Sequence, residues 1–312
     1  MTPPSQPSTS AQPSTARTTS FVDALRKRWQ TSGSLVCVGL DPELERIPQV
    51  ARGGRTGLLS LSADDQGNDV EGALIEFTQA IVDATAEVVC AFKPNSAFFE
   101  QYGPAGMRAL QRLITYIRGR YPDIPVILDA KRSDIGSTSA AYARAAFDAM
   151  QADAVTLHPY LGREAIDPFL ERADRGALIL CRTSNPGAGE LQDLTTTDAS
   201  GTARPLYQHV AHAVATTWNT RGNCGLVVGA TYPEELRAVR EIVSDMPILV
   251  PGIGAQGGDL AGVVQHGRDS SGDGLIISLS RSVLYASNGA DFAEAGRREA
   301  ERVMNAINDL RK

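Results

Sequence analysis

Aromatic residues make up only 6% of the 312-residue chain, which speaks against an aromatic-lined platform for nucleic acid or carbohydrate. Cysteine is equally sparse. Cys37, Cys90, Cys181 and Cys224 lie far apart, each inside an apolar run and with no CxxC pair, so the spacing fits buried reduced thiols and neither a disulfide framework nor a zinc site. The apolar runs are strand-length, short of the roughly 20 residues that a membrane helix requires, so no membrane span is expected. Positive charge is in deficit, with 30 Lys and Arg against 36 Asp and Glu and a net charge of −6. That balance argues against a general nucleic-acid binder, because a phosphate backbone needs a broad basic surface. One phosphate group can still be held locally. At 42% hydrophobic and 21% charged, the composition is that of an ordinary globular protein, unlike collagen, coiled coil or wholesale disorder.

Residues 1–20 contain fourteen Ser, Thr or Pro and a single charge, Arg17, without the apolar core of a secretory signal. They read as a disordered tail, with the barrel domain over 21–312 and the cytoplasm as the default compartment. Beyond the tail, β-branched runs alternate with longer amphipathic stretches, the pattern of a parallel sheet with crossover helices. Eight strand candidates fall at 34–40, 88–93, 125–131, 154–158, 177–182, 225–230, 247–252 and 274–280. Helix candidates between and around them include 72–87, 105–120 and 139–150, a helix over 21–30 expected to cap the barrel bottom, and a closing helix over 294–310. Eight strands in one βα series predict an α/β fold, a single (β/α)₈ TIM barrel. A doubly wound dinucleotide fold would carry GxGxxG after the first strand, whereas this strand runs into GLDPELERIP. Two connections, 52–69 and 185–204, are longer than a barrel requires and follow strand ends; a lid role suits the second in particular, and tolerated insertion is an equal alternative for the first.

In such a barrel the C-terminal strand tips face the ligand, and polar residues punctuate the apolar runs there. Strand 1 ends in Asp41, strand 2 in Lys93, strand 3 in Asp129 and Lys131 with Asp134 beyond, strand 5 in Arg182-Thr183-Ser184-Asn185, strand 7 in Pro251 and the glycine turn to Gln256, and strand 8 in Ser280-Arg281. Strand alternation turns Asp129 and Lys131 to the same side. Asp134 either returns to the same mouth or caps the next helix. Lys93, Asp129, Lys131 and Asp134 would then alternate two cations with two anions, either as a rim salt-bridge network or as a reactive array. PGIGAQGGD frees backbone N–H groups where strand 7 turns into a helix, and Arg281 at the next tip adds a bidentate partner, which together make a phosphate cradle. Histidine offers less: His209 and His212 lack nearby carboxylates, His158 ends strand 4 as a minor candidate, and His266 lies in a polar loop. No metal site is expected.

The segments FKPNSAFFEQYG around Lys93, LDAKRSDIGST, TSNPGAGELQ, LVPGIGAQGGD and SRSVLYA, in this order and in these βα positions, resemble orotidine 5′-phosphate decarboxylase, in particular its longer bacterial-type branch. The resemblance runs from about residue 21 to the C-terminus. It implies decarboxylation of orotidine 5′-monophosphate (OMP) to uridine 5′-monophosphate (UMP) without metal or organic cofactor, in a homodimer with shared active sites. It further implies Lys131 as proton donor, Asp129 beside the departing carboxylate, and Lys93 bridging ribose and array. Asp134 and Thr138 would reach the neighbouring subunit's site. Asp41 would bind ribose hydroxyls, Ser184 the pyrimidine, and Gln256 and Arg281 the phosphate, with Pro251 in the same substrate-binding set.

Two alternatives bear on the same residues. A magnesium-dependent sugar-phosphate decarboxylase or aldolase, resembling 3-keto-gulonate 6-phosphate decarboxylase, shares D-x-K-x-x-D but places a carboxylate where this chain has Lys93. A non-catalytic nucleotide-binding barrel would be expected to have lost part of the charged array, yet every member is present.

Overall fold

Strands covered on both faces read as unbroken apolar runs, and the eight runs noted above all form strands. In the computed structural model of the chain the described residues are 19–52, 63–253 and 258–312, with only the backbone described for 63–68. Most of the expected tail, residues 53–62 of the first long connection, and Gln256 lie outside them.

The barrel strands are β1 (Val36–Leu40), β2 (Ala91–Pro94), β3 (Ile127–Arg132), β4 (Ala154–Leu157), β5 (Gly176–Arg182), β6 (Cys224–Val228), β7 (Ile248–Pro251) and β8 (Leu275–Leu279). Every residue of β1, β2, β4, β6 and β8 is buried. All ladders are parallel, in the order β2-β1-β8-β7-β6-β5-β4-β3. Parallel bridges Phe92 to Val126 and Asn95 to Asp129 join the two end strands and close the ring.

Helices Ala63–Thr85, Gly103–Arg120 and Phe292–Arg311 cover one outer flank. Glu71, 7% exposed, binds Arg108 and Arg112 at 2.7 and 2.8 Å across the first two of these, and Phe77 stacks on Phe292 with centroids 5.5 Å apart. The helix Phe21–Ser32 begins where the Ser20 hydroxyl accepts from the Asp23 N–H at 3.2 Å, so Ser20 belongs to the helix cap and not to the tail. Gly33, at φ 61°, ends it. Its buried Phe21, Val22, Leu25 and Trp29 plug the N-terminal end of the barrel, as expected. A Cβ on Gly176, at the start of β5, would lie 2.3 Å from the Phe21 ring, so only glycine admits this plug.

All four cysteines are buried and unpaired, as the spacing suggested. The second long connection is built rather than bare: it carries a short helix, Gly189–Gln192, and a hairpin of Thr195–Thr197 with Ala203–Pro205, to which His209 is tied through its ring nitrogen and the Thr196 carbonyl at 2.9 Å.

Candidate active site

Asp129 sits at the centre of the polar cluster in the barrel mouth. Its carboxylate takes Lys93 Nζ at 2.9 Å on Oδ2, and Lys131 Nζ at 2.7 Å and the Thr156 hydroxyl at 2.9 Å on Oδ1. Lys93 is 4% exposed and Asp129 9%, whereas the Lys131 side chain is half exposed and so can meet a ligand. Burial alone would raise the Asp129 carboxyl, but the two ammonium groups reverse this and hold it well below the usual carboxylate range. Burial likewise works to lower the Lys93 ammonium, and the carboxylates of Asp129 and Asp41 outweigh it and raise it. Asp129 and Lys93 are therefore both charged at neutral pH, each by the support of the other.

Asp129 and Lys131 do converge, but simple strand alternation is not the cause. Lys131 has φ 47°, in the left-handed region that non-glycine residues rarely enter, and the β3–β4 register shifts between Leu128 and Arg132. The Thr156 hydroxyl on β4 accepts from the N–H groups of both Ala130 and Lys131 at 3.0 Å, which holds the bulge open. Such a conformation costs about 1–3 kcal/mol and persists where the surroundings over-determine it, commonly at functional sites. Thr156 was missed by the reading of strand tips. Its signal is a lone hydroxyl inside the apolar run AVTL.

A cavity of about 270 Å³ opens beside this cluster. Asp41, Lys93, Asn95 and Asp129 line one part, and Pro251, Gly252, Ser280 and Arg281 line another, so the tips of β1, β2, β3, β7 and β8 share one site. Asp41 Oδ2 accepts from the Ser280 hydroxyl at 2.6 Å, while its buried Oδ1 has no hydrogen-bond partner among the described residues. Gly252, at φ 105°, turns the chain out of β7, and a parallel bridge joins Ile253 to Gly258. Arg281 opens the short helix Arg281–Leu284 and is exposed toward the cavity it lines.

Other expected site residues do not line this cavity. The Asp134 carboxylate accepts from its own neighbour, the Ile135 N–H, at 2.7 Å, and Thr138 is exposed on the helix Gly136–Arg144. Ser184 follows β5 beside Gly229, where a Cβ would come within 2.6 Å of the Ser184 Cβ. Arg182, expected to face the ligand from its strand tip, is 2% exposed and anchors the loop instead. It pairs with Asp193 at 2.9 Å and lies 4.1 Å from the centroid of Tyr232. Gln192 completes this anchor, its Oε1 accepting from the Thr183 N–H at 2.8 Å and its Nε2 donating to the Thr183 hydroxyl at 2.9 Å. A buried arginine is costly unless paired, and this pairing ties residues 182–185 to 192 and 193, so the segment bearing Ser184 has a defined path.

Comparison with known proteins agrees with this geometry. The family model described as "Orotidine 5'-phosphate decarboxylase / HUMPS family" matches residues 34–295. Orotidine 5′-phosphate decarboxylase of Ralstonia pickettii is 49% identical over 294 residues, covering 93% of this chain and 99% of the relative. The protein of the same name from Cellvibrio japonicus is 48% identical over 292 residues, covering 94% and 99%. The solved structure of Leishmania donovani OMP decarboxylase superposes with a TM-score of 0.75 at 36% identity, covering 94% of this chain and 98% of that one. With the barrel, the charged cluster at its mouth and these matches over nearly the whole chain, the protein belongs to the orotidine 5′-phosphate decarboxylase / HUMPS family.

Proposed function

We propose that the chain converts OMP to UMP and carbon dioxide, with Lys131 as the group that stabilises and protonates the ring. The carrying observation is that one cavity runs from the Lys93–Asp129 pair, to which Lys131 is bonded, to Pro251 at the tip of β7 and Arg281 just after β8. Phosphate between the loops after strands 7 and 8 is the usual arrangement of this barrel, and it would place the far end of a nucleotide beside Asp129 and Lys131. Loss of carbon dioxide leaves an electron pair on a ring carbon in an orbital that the π system does not delocalise. A fixed ammonium stabilises that charge without reorganising, and it then gives its proton to the same carbon, so the carboxylate carbon leaves and one proton replaces it. Asp129 orients Lys131 through the 2.7 Å bond and would lie beside the departing carboxylate. Arg281 and the glycine turn hold the phosphate far from the reacting carbon, and their binding energy can be expressed in the rate through closure of the site. Gln256 is assigned to the phosphate with them on the sequence resemblance, and Ser184 to the pyrimidine.

Lys93 favours this reaction over the magnesium-dependent sugar-phosphate chemistry within the wider family. Its ammonium, 2.9 Å from Asp129, occupies the place where a divalent cation would need another carboxylate. No metal or organic cofactor is assigned. The four unpaired, buried thiols suit a reducing compartment, and the cytoplasm is proposed as the setting. Among the described residues no helix is long and apolar enough to cross a membrane.

A homodimer with shared sites belongs to the same proposal. Asp134 and Thr138 do not reach their own subunit's cavity, and they lie on the connection after β3, where Ile135 is 61% exposed. Tyr142 on the same connection and Tyr160 and Leu161 on the next are also exposed. Apolar side chains on adjacent connections are the kind of surface that a second copy covers. If Asp134 serves the partner's site, mixing inactive Lys131→Ala and Asp134→Ala proteins is expected to restore up to about a quarter of wild-type activity, because about half of randomly mixed dimers are heterodimers and each of these has one intact site of its two. Subunit exchange without recovered UMP formation would reject shared sites. The proposed activity itself is tested by incubating the purified protein with OMP and measuring UMP; formation of UMP by the wild type and none by Lys131→Ala is expected, and no UMP from folded wild-type protein would refute it.

A further inference from the structure

We propose that Tyr102 and Tyr285 are positioning residues that hold the loop after β1, and through it the Asp41 carboxylate, in the nucleotide site. The inference rests on the reading of the cavity as that site. Asp41 is followed by Pro42, which has no N–H, and then by the one-turn helix Leu44–Arg46, whose cap residue Glu43 makes no side-chain capping bond. The leading N–H groups of such a turn lack partners within it and need acceptors from elsewhere. Two phenols from distant parts of the chain supply them. The Glu43 N–H donates to the Tyr285 hydroxyl at 2.7 Å, and the Leu44 N–H donates to the Tyr102 hydroxyl at 2.9 Å. The Tyr285 hydroxyl in turn donates to the Asp41 carbonyl at 3.5 Å, so one phenol spans the turn from Asp41 to Glu43.

The Tyr285 ring is itself held. Phe77 stacks on it with centroids 5.9 Å apart, and the Arg46 guanidinium lies 3.8 Å from its centroid. Burial pushes its phenol up to about 12, so it keeps the proton that it donates. Ser280, five residues earlier at the β8 tip, donates to Asp41 Oδ2 at 2.6 Å, while the buried Oδ1 has no hydrogen-bond partner among the described residues and Asp41 itself lines the cavity. Backbone and side chain of Asp41 are thus both fixed from the β8 tip, with Tyr102 acting on the same loop from the β2 side.

Tyr285→Phe and Tyr102→Phe keep the rings and remove the acceptors. A double-mutant cycle with Asp41→Ala, read as kcat and KM for OMP, separates positioning from general support. Each phenylalanine variant is expected to lower kcat/KM about tenfold, mainly through KM, in the wild-type background, and to have less than about a twofold further effect once Asp41 is alanine. Thermal unfolding of all variants accompanies the kinetics, and if one phenylalanine variant fails to fold, the other carries the same cycle. If Asp41→Ala is impaired but the tyrosine effects are absent or multiply fully with it, the positioning role is wrong and the site reading survives. If Asp41→Ala turns over OMP like the wild type, the reading of Asp41 as a nucleotide contact falls, and the proposal falls with it.

Discussion

Lys131→Ala is expected to lower kcat for OMP by at least about four orders of magnitude while leaving the thermal midpoint within a few degrees of wild type. General acid catalysis contributes about 10²–10⁴-fold, and a preorganised charge at the reacting atom about 10²–10³-fold, and here both come from one side chain. The cost to the fold is small for three reasons visible around the residue. Its side chain is half exposed, its recorded ion pair is the one with Asp129, and the bulge it occupies is held by the Thr156 hydroxyl acting on backbone N–H groups, which alanine retains. A partly exposed pair of this kind is worth about 1 kcal/mol or less. Alanine at φ 47° remains strained, so no compensating stabilisation is expected. Comparing kcat with the unfolding curve of the same preparation checks both halves.

Asp129→Ala is expected to behave differently, losing activity and stability together. Lys93 is 4% exposed and its ammonium stands 2.9 Å from the deleted carboxylate, so the substitution strands a buried charge. Breaking a buried pair by removing one member costs about 3–5 kcal/mol, and the nearby Asp41 carboxylate should keep the loss toward the lower figure. For a domain of this size that is a fall of roughly 5–10 °C in thermal midpoint, against almost none for Lys131→Ala.

The milder Asp129→Asn makes the same point through pH. Because the Asp129 carboxyl is held below its unfolded value of about 4, its contribution is present above that pH and is lost as pH falls through the folded value. Because the Lys93 ammonium is raised above its unfolded value of about 10, its contribution is present below that pH and is lost only as pH rises through the folded value. The stability gap between wild type and Asp129→Asn should therefore be flat from about pH 5 to pH 9 and should narrow below about pH 4. A gap that instead changes through neutrality would contradict the mutual support of these two charges.

Much of this was legible in the sequence because strands covered on both faces are written as apolar runs, so Lys93, Asp129 and Arg281 stood out where those runs ended. What was not legible depended on neighbours in space. Lys131 meets Asp129 through a left-handed bulge that exists because Thr156, on the adjacent strand, takes two backbone N–H groups; alternation along β3 gives the right meeting for the wrong reason. Arg182 shows the opposite failure. A charged residue at a strand tip was expected to face the ligand, yet Asp193 and Tyr232 draw it beneath the loop, and neither partner is near it in the alternation pattern. Asp134 was expected either to return to the mouth or to cap the next helix. Its carboxylate accepts from the Ile135 N–H, one position before that helix's first turn, and no ion pair ties it to the cluster among the described residues.

The most direct measurement uses OMP labelled at the departing carboxylate, turned over by the purified 312-residue protein with excess EDTA present throughout. The account predicts one labelled carbon dioxide released per UMP formed, at a rate that EDTA does not change. No release from folded protein, or release that stops with EDTA and returns with added magnesium, would contradict it.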